Sequence, residues 1–148
     1  MIAKDLMTAN PFVVAASASL QDAAELMHKH DVGMIPVVHD LQTRTFEGVI
    51  TDRDIAIRCV ANGRSSDGFV AAYMTKEPLA TVRPESPVDE VVELMERARV
   101  RRIPVVDGSN RVVGIVALAD IVRGLGKREP GTVEEVLERV SAASHALT

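Results

Sequence analysis

Gly48-Val49-Ile50-Thr51-Asp52-Arg53-Asp54-Ile55 joins an apolar run to a short polar turn and the start of an apolar helical pattern. The chain carries a second version, Gly114-Ile115-Val116-Ala117-Leu118-Ala119-Asp120-Ile121. Each has two β-branched residues after a Gly and an Asp six positions beyond it. This reads as a strand running directly into a helix, with Asp in the first helical turn. A first turn presents unpaired N–H groups and the positive end of the helix dipole, which suit anions and ligand hydroxyls. Function is therefore expected at these two helix starts.

Working outward, the same order of motifs occurs twice. Met7-Thr8 returns as Met74-Thr75, Pro11 as Pro78, Glu25-Leu26-Met27 as Glu93-Leu94-Met95, and Ile35-Pro36-Val37-Val38 as Ile103-Pro104-Val105-Val106. The offset is 67 at Met7, 68 at Ile35 and 66 at Gly48. A duplication explains an ordered set at nearly constant spacing. Each copy predicts a short strand first, Phe12 to Val14 or Leu79 to Val82. A helix follows, with Leu20, Ala23, Ala24 and Met27, or Val88, Val91, Val92 and Met95, on one face. Ser19 with Asp22 predicts one N-cap; Ser86, with Pro87 at the first helical position and Asp89, predicts the other. Two strands come next: Met34 to Val38 with Phe46 to Ile50, and Arg102 to Val106 with Arg111 to Val116. Asp107-Gly108-Ser109-Asn110 has turn composition. Copy one is longer here, His39 to Thr45, and a looser turn is expected. Helices over about Asp52 to Ala61 and Leu118 to Leu125 close the two units.

The expected organisation is repeat 1 over 1–62, a Gly- and Ser-bearing linker over 63–69, repeat 2 over 70–127 and a helical tail over 128–148. In the tail, Thr132 with Glu135 reads as a capping box, and Val133, Val136, Leu137 and Val140 as an apolar stripe. The tail belongs to neither copy. The fold class is α/β (α+β). A β-α-β-β-α unit this small cannot bury both faces of its sheet alone, so two pseudo-twofold-related repeats are expected to pack through their small sheets. That leaves two related clefts, one for each Gly…Asp stretch.

Composition narrows the function. The hydrophobic share is 47% and aromatics are 3%, so the core must be aliphatic. A net charge of −4 argues against non-specific nucleic-acid binding. Cys59 is the single cysteine, which excludes an intrachain disulfide and fits a reducing, cytoplasmic setting. The N-terminus lacks a signal-peptide pattern, and no apolar run is long enough to span a bilayer. No Ser/His/Asp set with supporting context, Walker loop or metal cluster is visible, so an enzyme is not expected. His28 and His30 lack a partner at ligand spacing, and Cys59 reads as a small core residue.

Lys4-Asp5-Leu6-Met7-Thr8, Ile35-Pro36-Val37-Val38 and Gly48 to Ile55 together resemble the cystathionine-β-synthase (CBS) domain, and the tandem resembles a CBS pair, or Bateman module. The resemblance covers about residues 2–126. It implies binding of an adenosine-containing ligand such as AMP, ADP, ATP, S-adenosylmethionine or NAD. It implies Asp54 on the ribose hydroxyls and Thr51 on the phosphate side. In copy two Asp120 keeps the ribose role, while Ala117 stands where the hydroxyl belongs. In the regulatory gamma subunit of AMP-activated kinase, basic residues at the position of Arg101 and Arg102 contact phosphate. The resemblance gives these two that role, Arg102 ahead of Arg101. Arg53 lies beside the helix start, within reach of a phosphate. Met34, Ile35 and Pro36 would flank adenine.

Each assignment has a plain alternative. Thr51 and Asp54 also suit an N-cap pair without a ligand. Ala117 is a poor cap, so retention of Asp120 beside it leans towards a ligand. The arginines also suit a solvated strand end, and Met34, Ile35 and Pro36 ordinary core. The expected protein is a stand-alone, non-catalytic sensor with an adenine nucleotide as regulatory ligand. It would form a homodimer and act on a separate effector protein or through its own oligomer. The rivals are a ligand-free dimerisation module and a regulatory fragment of a nucleotide-metabolism enzyme. Met1 and a capped C-terminal helix argue against the fragment.

Overall fold

The computed structural model describes residues 1–76 and 80–145, with side chains to residue 142. The chain divides into two compact units. One holds Met1–Pro11, Ala80–Gly108 and residues from Val113 onward; the other holds residues 12–76 with Ser109–Val112. The recurring Pro78 and the start of the strand expected at Leu79 lie outside the described residues.

In the second unit, β2 (Val14–Ala15) pairs in parallel with β3 (Met34–Val38), which pairs antiparallel with β4 (Phe46–Thr51). Between β2 and β3 runs α2 (Leu20–His30). It starts where the sequence places it. Asp22 N–H donates to Ser19 Oγ at 3.1 Å, and Ser19 N–H returns a bond to the Asp22 carboxylate. The linker supplies further caps: Leu20 and Gln21 N–H donate to the carbonyls of Gly68 and Ser66. Leu20, Ala23 and Met27 are buried, while Ala24 is half-buried. They pack with Ile35, Val37 and Ile50 of the sheet.

In the first unit, α1 (Ala3–Leu6) leads into β1 (Thr8–Ala9), and the sheet order is β1, β6 (Val112–Ala117), β5 (Arg102–Val106). Helix α4 (Val88–Ala98) buries Val91, Val92 and Met95, as its spacing predicts. Ser86 is not its cap. Ser86 Oγ instead accepts Arg83 N–H at 3.0 Å, and Pro87 occupies the N-cap position. The hydroxyl is used by the preceding turn. The third-strand predictions are off by one residue: β4 runs on to Thr51, and β6, at Val112–Ala117, is shifted by one at both ends.

The expected looseness between β3 and β4 is corrected. Asp40 Oδ1 accepts from Gln42 N–H, Thr43 N–H and the Thr43 hydroxyl, and Arg44 takes a left-handed φ of 57°. One carboxylate holds the whole turn. The Thr43 backbone bond is the largest cause holding the Asp40 carboxyl below its usual value.

The leading segments explain why the compact units do not coincide with the sequence copies. β1, from the start of copy one, pairs antiparallel with β6 of copy two, Thr8 opposite Ile115 and Ala9 opposite Gly114. At the start of copy two, Thr75 bridges Val49 of β4, with N–H to O bonds of 2.8 and 3.1 Å in the two directions. Each copy thus lends its Met-Thr segment to the last strand of the other. The recurring glycines permit this approach. A Cβ on Gly48 would stand 2.6 Å from the Thr75 carbonyl oxygen, and one on Gly114 would strike Met7 Sδ.

The second helices differ. α5 (Leu118–Arg128) is a regular α-helix. The helix after β4 has one α-turn, α3 (Asp52–Asp54), then a π-helical stretch at Ile55–Cys59 and a 3-10 turn at Val60–Asn62. The uniform helix expected over 52–61 is therefore corrected. Helix α6 (Val133–His145) is part of the first unit, with Val136 and Val140 in its core. Leu137, expected on the buried stripe, is 39% exposed. The Thr132 hydroxyl donates backward to the Glu129 carbonyl at 2.9 Å, closing the 3-10 turn ahead of α6.

Candidate functional site

In the second unit, the antiparallel register sets Met34 opposite Thr51, Ile35 opposite Ile50 and Pro36 opposite Val49. Asp52 N–H donates to the Gly33 carbonyl at 2.9 Å, so the helix start is bonded to the residue before β3. This brings Met34, Ile35, Pro36, Thr51, Arg53 and Asp54 to one end of one hairpin. Ile35 and Pro36 are buried, Met34 and Thr51 half-buried, and Arg53 exposed. Ile35 lies in the core cluster, as the core reading holds.

Thr51 and Asp54 form a reciprocal capping box. Asp54 N–H donates to Thr51 Oγ1 at 3.0 Å, and Thr51 N–H donates to Asp54 Oδ2 at 3.1 Å. Asp54 is 8% exposed. A carboxylate so deeply buried needs several donors. One donor and one ion-pair partner come from residues that sequence reasoning passed over. The Thr75 hydroxyl lies 3.1 Å from both Asp54 oxygens. Arg58 Nε lies 3.6 Å from Oδ1, while its Nη1 donates to the carbonyls of Tyr73 and Met74. The Met74-Thr75 recurrence was a signal for Thr75, but only as a marker of the copies.

The first unit repeats part of this frame. Leu118 N–H donates to the Arg101 carbonyl at 2.8 Å, the counterpart of the Asp52–Gly33 bond. Arg102 opens β5 and is half-buried; Arg101 is exposed. Asp120 Oδ2 accepts Ala117 N–H at 3.0 Å, and Oδ1 pairs with Arg123. Asp120 therefore has a local purpose without a ligand, which corrects the argument drawn from its retention beside Ala117. It makes one half of the capping box; Ala117 has no oxygen with which to make the other. Among the described residues, no bond joins Thr8, the counterpart of Thr75, to Asp120.

Cys59 is buried in the second unit's core, with its Sγ–H near the Arg64 carbonyl at 3.4 Å. His30 stacks on Phe12 with ring centroids 3.5 Å apart, a pairing no local spacing announces. Among the described residues no cluster of three or more His, Cys, Asp or Glu has metal-binding geometry. Nor is any described helix long and apolar enough to cross a membrane.

Comparison with known proteins matches these repeats. The CBS domain family model fits residues 3–60 and again 70–127. The CBS domain-containing protein YhcV of Bacillus subtilis is 41% identical over 118 residues, spanning 80% of this chain and 81% of its own. The crystal structure of Hypoxic Response Protein I with two coordinated zinc ions is 34% identical, with a TM-score of 0.75, covering 83% of this chain and 98% of that one. The CBS domain pair of protein MJ0100, in complex with 5-methylthioadenosine and S-adenosyl-L-methionine, is 32% identical at a TM-score of 0.71, covering 87% and 98%. CBSX2 in complex with AMP is 29% identical at 0.72, covering 85% and 96%. The motif order, the mixed α/β architecture and these matches lead to one conclusion: the chain belongs to the CBS domain family and carries that domain twice.

Proposed function

We propose that this chain is a non-catalytic sensor that binds an adenosine-containing ligand at its Gly…Asp helix starts. The observation that carries the reading is the pairing of Met34 with Thr51 beside the Thr51–Asp54 capping box. Relatives about 30% identical hold AMP, or S-adenosylmethionine with methylthioadenosine. Capping and ligand binding do not compete here. The cap uses Thr51 Oγ1 as an acceptor, and a hydroxyl also carries one proton to donate, in this reading to a phosphate oxygen. Asp54 has about four lone-pair sites for its donors, which leaves capacity for ribose hydroxyls. The main chain and apolar surface of Met34 to Pro36 serve the adenine. In copy two, Asp120 would take ribose and Arg102, with Arg101, phosphate; Arg53 would serve phosphate in copy one. AMP or ATP is the first ligand to test, then S-adenosylmethionine and NAD.

An adenosine ligand at a hundredfold excess over its dissociation constant should stabilise the fold by about 2.7 kcal/mol. For a chain of this length the melting temperature should rise by about 5–10 °C. A thermal-shift series with AMP, ATP, S-adenosylmethionine and NAD reads this directly. No shift with any of the four at millimolar concentration would favour the ligand-free interaction module.

A homodimer in a reducing, cytoplasmic setting, signalling to a separate effector, completes the reading. Ile57 and Val60, one helical turn apart, are 52% and 68% exposed, leaving an apolar strip at the end of copy one. Light scattering at micromolar concentration should return twice the chain mass. A monomer mass would remove the dimer from the proposal and leave the ligand reading standing.

A further inference from the structure

We propose that Thr75 is the positioning residue of the copy-one ligand site, an inference that rests on the adenosine-binding reading. Its hydroxyl lies 3.1 Å from Oδ1 and 3.1 Å from Oδ2 of Asp54. A donor shared between both oxygens, added to a capping bond on one of them, anchors the carboxylate at a second point. Thr51 N–H engages Oδ2 alone, at 3.1 Å. Anchored in this way, the carboxylate still has acceptor capacity, on Oδ1 above all, which a ribose hydroxyl can use. Thr75 is itself held rigidly, through both backbone bonds to Val49. It is twenty-one residues from Asp54 in sequence, so the copy-one site is completed by a side chain from the start of copy two.

The second copy lacks this device. Asp120 receives Ala117 N–H and the exposed Arg123 side chain. Thr8 pairs its backbone with Ile115 but, among the described residues, sends no hydroxyl to Asp120. An exposed guanidinium on a long side chain orients a carboxylate less strictly than a hydroxyl whose own backbone is bonded to β4. The two helix starts therefore differ in how sharply they select a ribose diol, as well as in the hydroxyl lost at Ala117.

The test is calorimetric titration of AMP, 2′-deoxy-AMP and S-adenosylmethionine into the parent, Thr75→Val, Thr75→Ala, Thr75→Ser, Asp54→Ala and the Asp54→Ala/Thr75→Val double variant. Thr75→Val keeps the shape and removes the donor. It should weaken AMP binding by about five- to twentyfold and cut the preference for AMP over 2′-deoxy-AMP. Thr75→Ala should do the same if the valine disturbs the fold. Thr75→Ser should stay within about twofold of the parent. The double variant should bind no more weakly than Asp54→Ala, because Thr75 acts through that carboxylate. Loss of melting temperature in Thr75→Val with unchanged affinity and ribose preference would make Thr75 purely structural. Equal losses in the Ser and Val variants would overturn the proposal too. A parent chain silent to all three ligands would instead overturn the adenosine-binding reading, and this inference with it.

Discussion

Asp54→Ala is expected to weaken the tighter adenosine-ligand site by about ten- to more than a hundredfold, the cost of a charge-assisted bond of about 1.5–3 kcal/mol. Asp120→Ala should damage the weaker site. The asymmetry comes from Ala117, whose missing hydroxyl costs the second site about 0.5–1.5 kcal/mol, or about two- to tenfold. Arg102 offsets part of that loss where it reaches the same phosphate. The backbone at Ala117 is already set for a hydroxyl residue: φ −102° and ψ 152°, against −116° and 159° at Thr51. Ala117→Thr should therefore complete the capping box with Asp120, add about 0.5–2 kcal/mol to stability, and strengthen the second site without changing the first. Removing Asp54 also strips the Thr51 N–H and the Thr75 hydroxyl of their acceptor. Asp54→Asn, which keeps one oxygen and loses the charge, separates that structural loss from the ligand contact. Calorimetric titration of the parent and the four variants decides. Loss of the tighter phase in Asp120→Ala, with that phase intact in Asp54→Ala, would reverse the assignment of the principal site.

What was legible in the sequence is what local chemistry controls. The bounds of β3 and β5 and the buried faces of α2 and α4 follow from spacing alone. The Ser19–Asp22 cap follows from residue type at short range. The errors have local and distant causes. Ser86 has a suitable residue type and position, yet its hydroxyl is claimed by Arg83 N–H, a competing partner equally close in sequence. The π-helical turn after Asp54 replaces i to i−4 bonding without any Pro or Gly to announce it. The Thr75 hydroxyl reaches Asp54 from a segment brought back by strand pairing, and no local pattern contains it. Met7 and Gly114, or Met74 and Gly48, recur as separate motifs in the sequence. In space each is one contact, and the glycine is required because the exchanged segment passes where its Cβ would be.

Val140→Asp is expected to destabilise the protein by about 3–5 kcal/mol. The reading of the tail as separate from both copies gave no reason for such an effect; the position of α6 does. Val140 is 0% exposed and Val136 is buried, both within the core that holds Met95, Ile103 and Ile121. Burying a valine side chain contributes about 1.5–3 kcal/mol, and an acid in its place adds the cost of an unsatisfied buried polar group, about 1–3 kcal/mol. Arg139 reinforces the docking with bonds of 2.9 and 2.6 Å to Glu96 of α4, on a partly exposed pair that contributes little by itself. The apolar contacts therefore hold α6 in place. Leu137→Asp supplies the comparison, because a residue 39% exposed on the same helix should cost about 1 kcal/mol or less. Urea unfolding followed by circular dichroism reads both variants. Equal midpoints for Val140→Asp and Leu137→Asp would show that α6 is not part of the core. A large shift for Val140→Asp alone would make the tail a structural member of the unit that carries Asp120, so that truncating it would perturb that site through stability without touching a ligand.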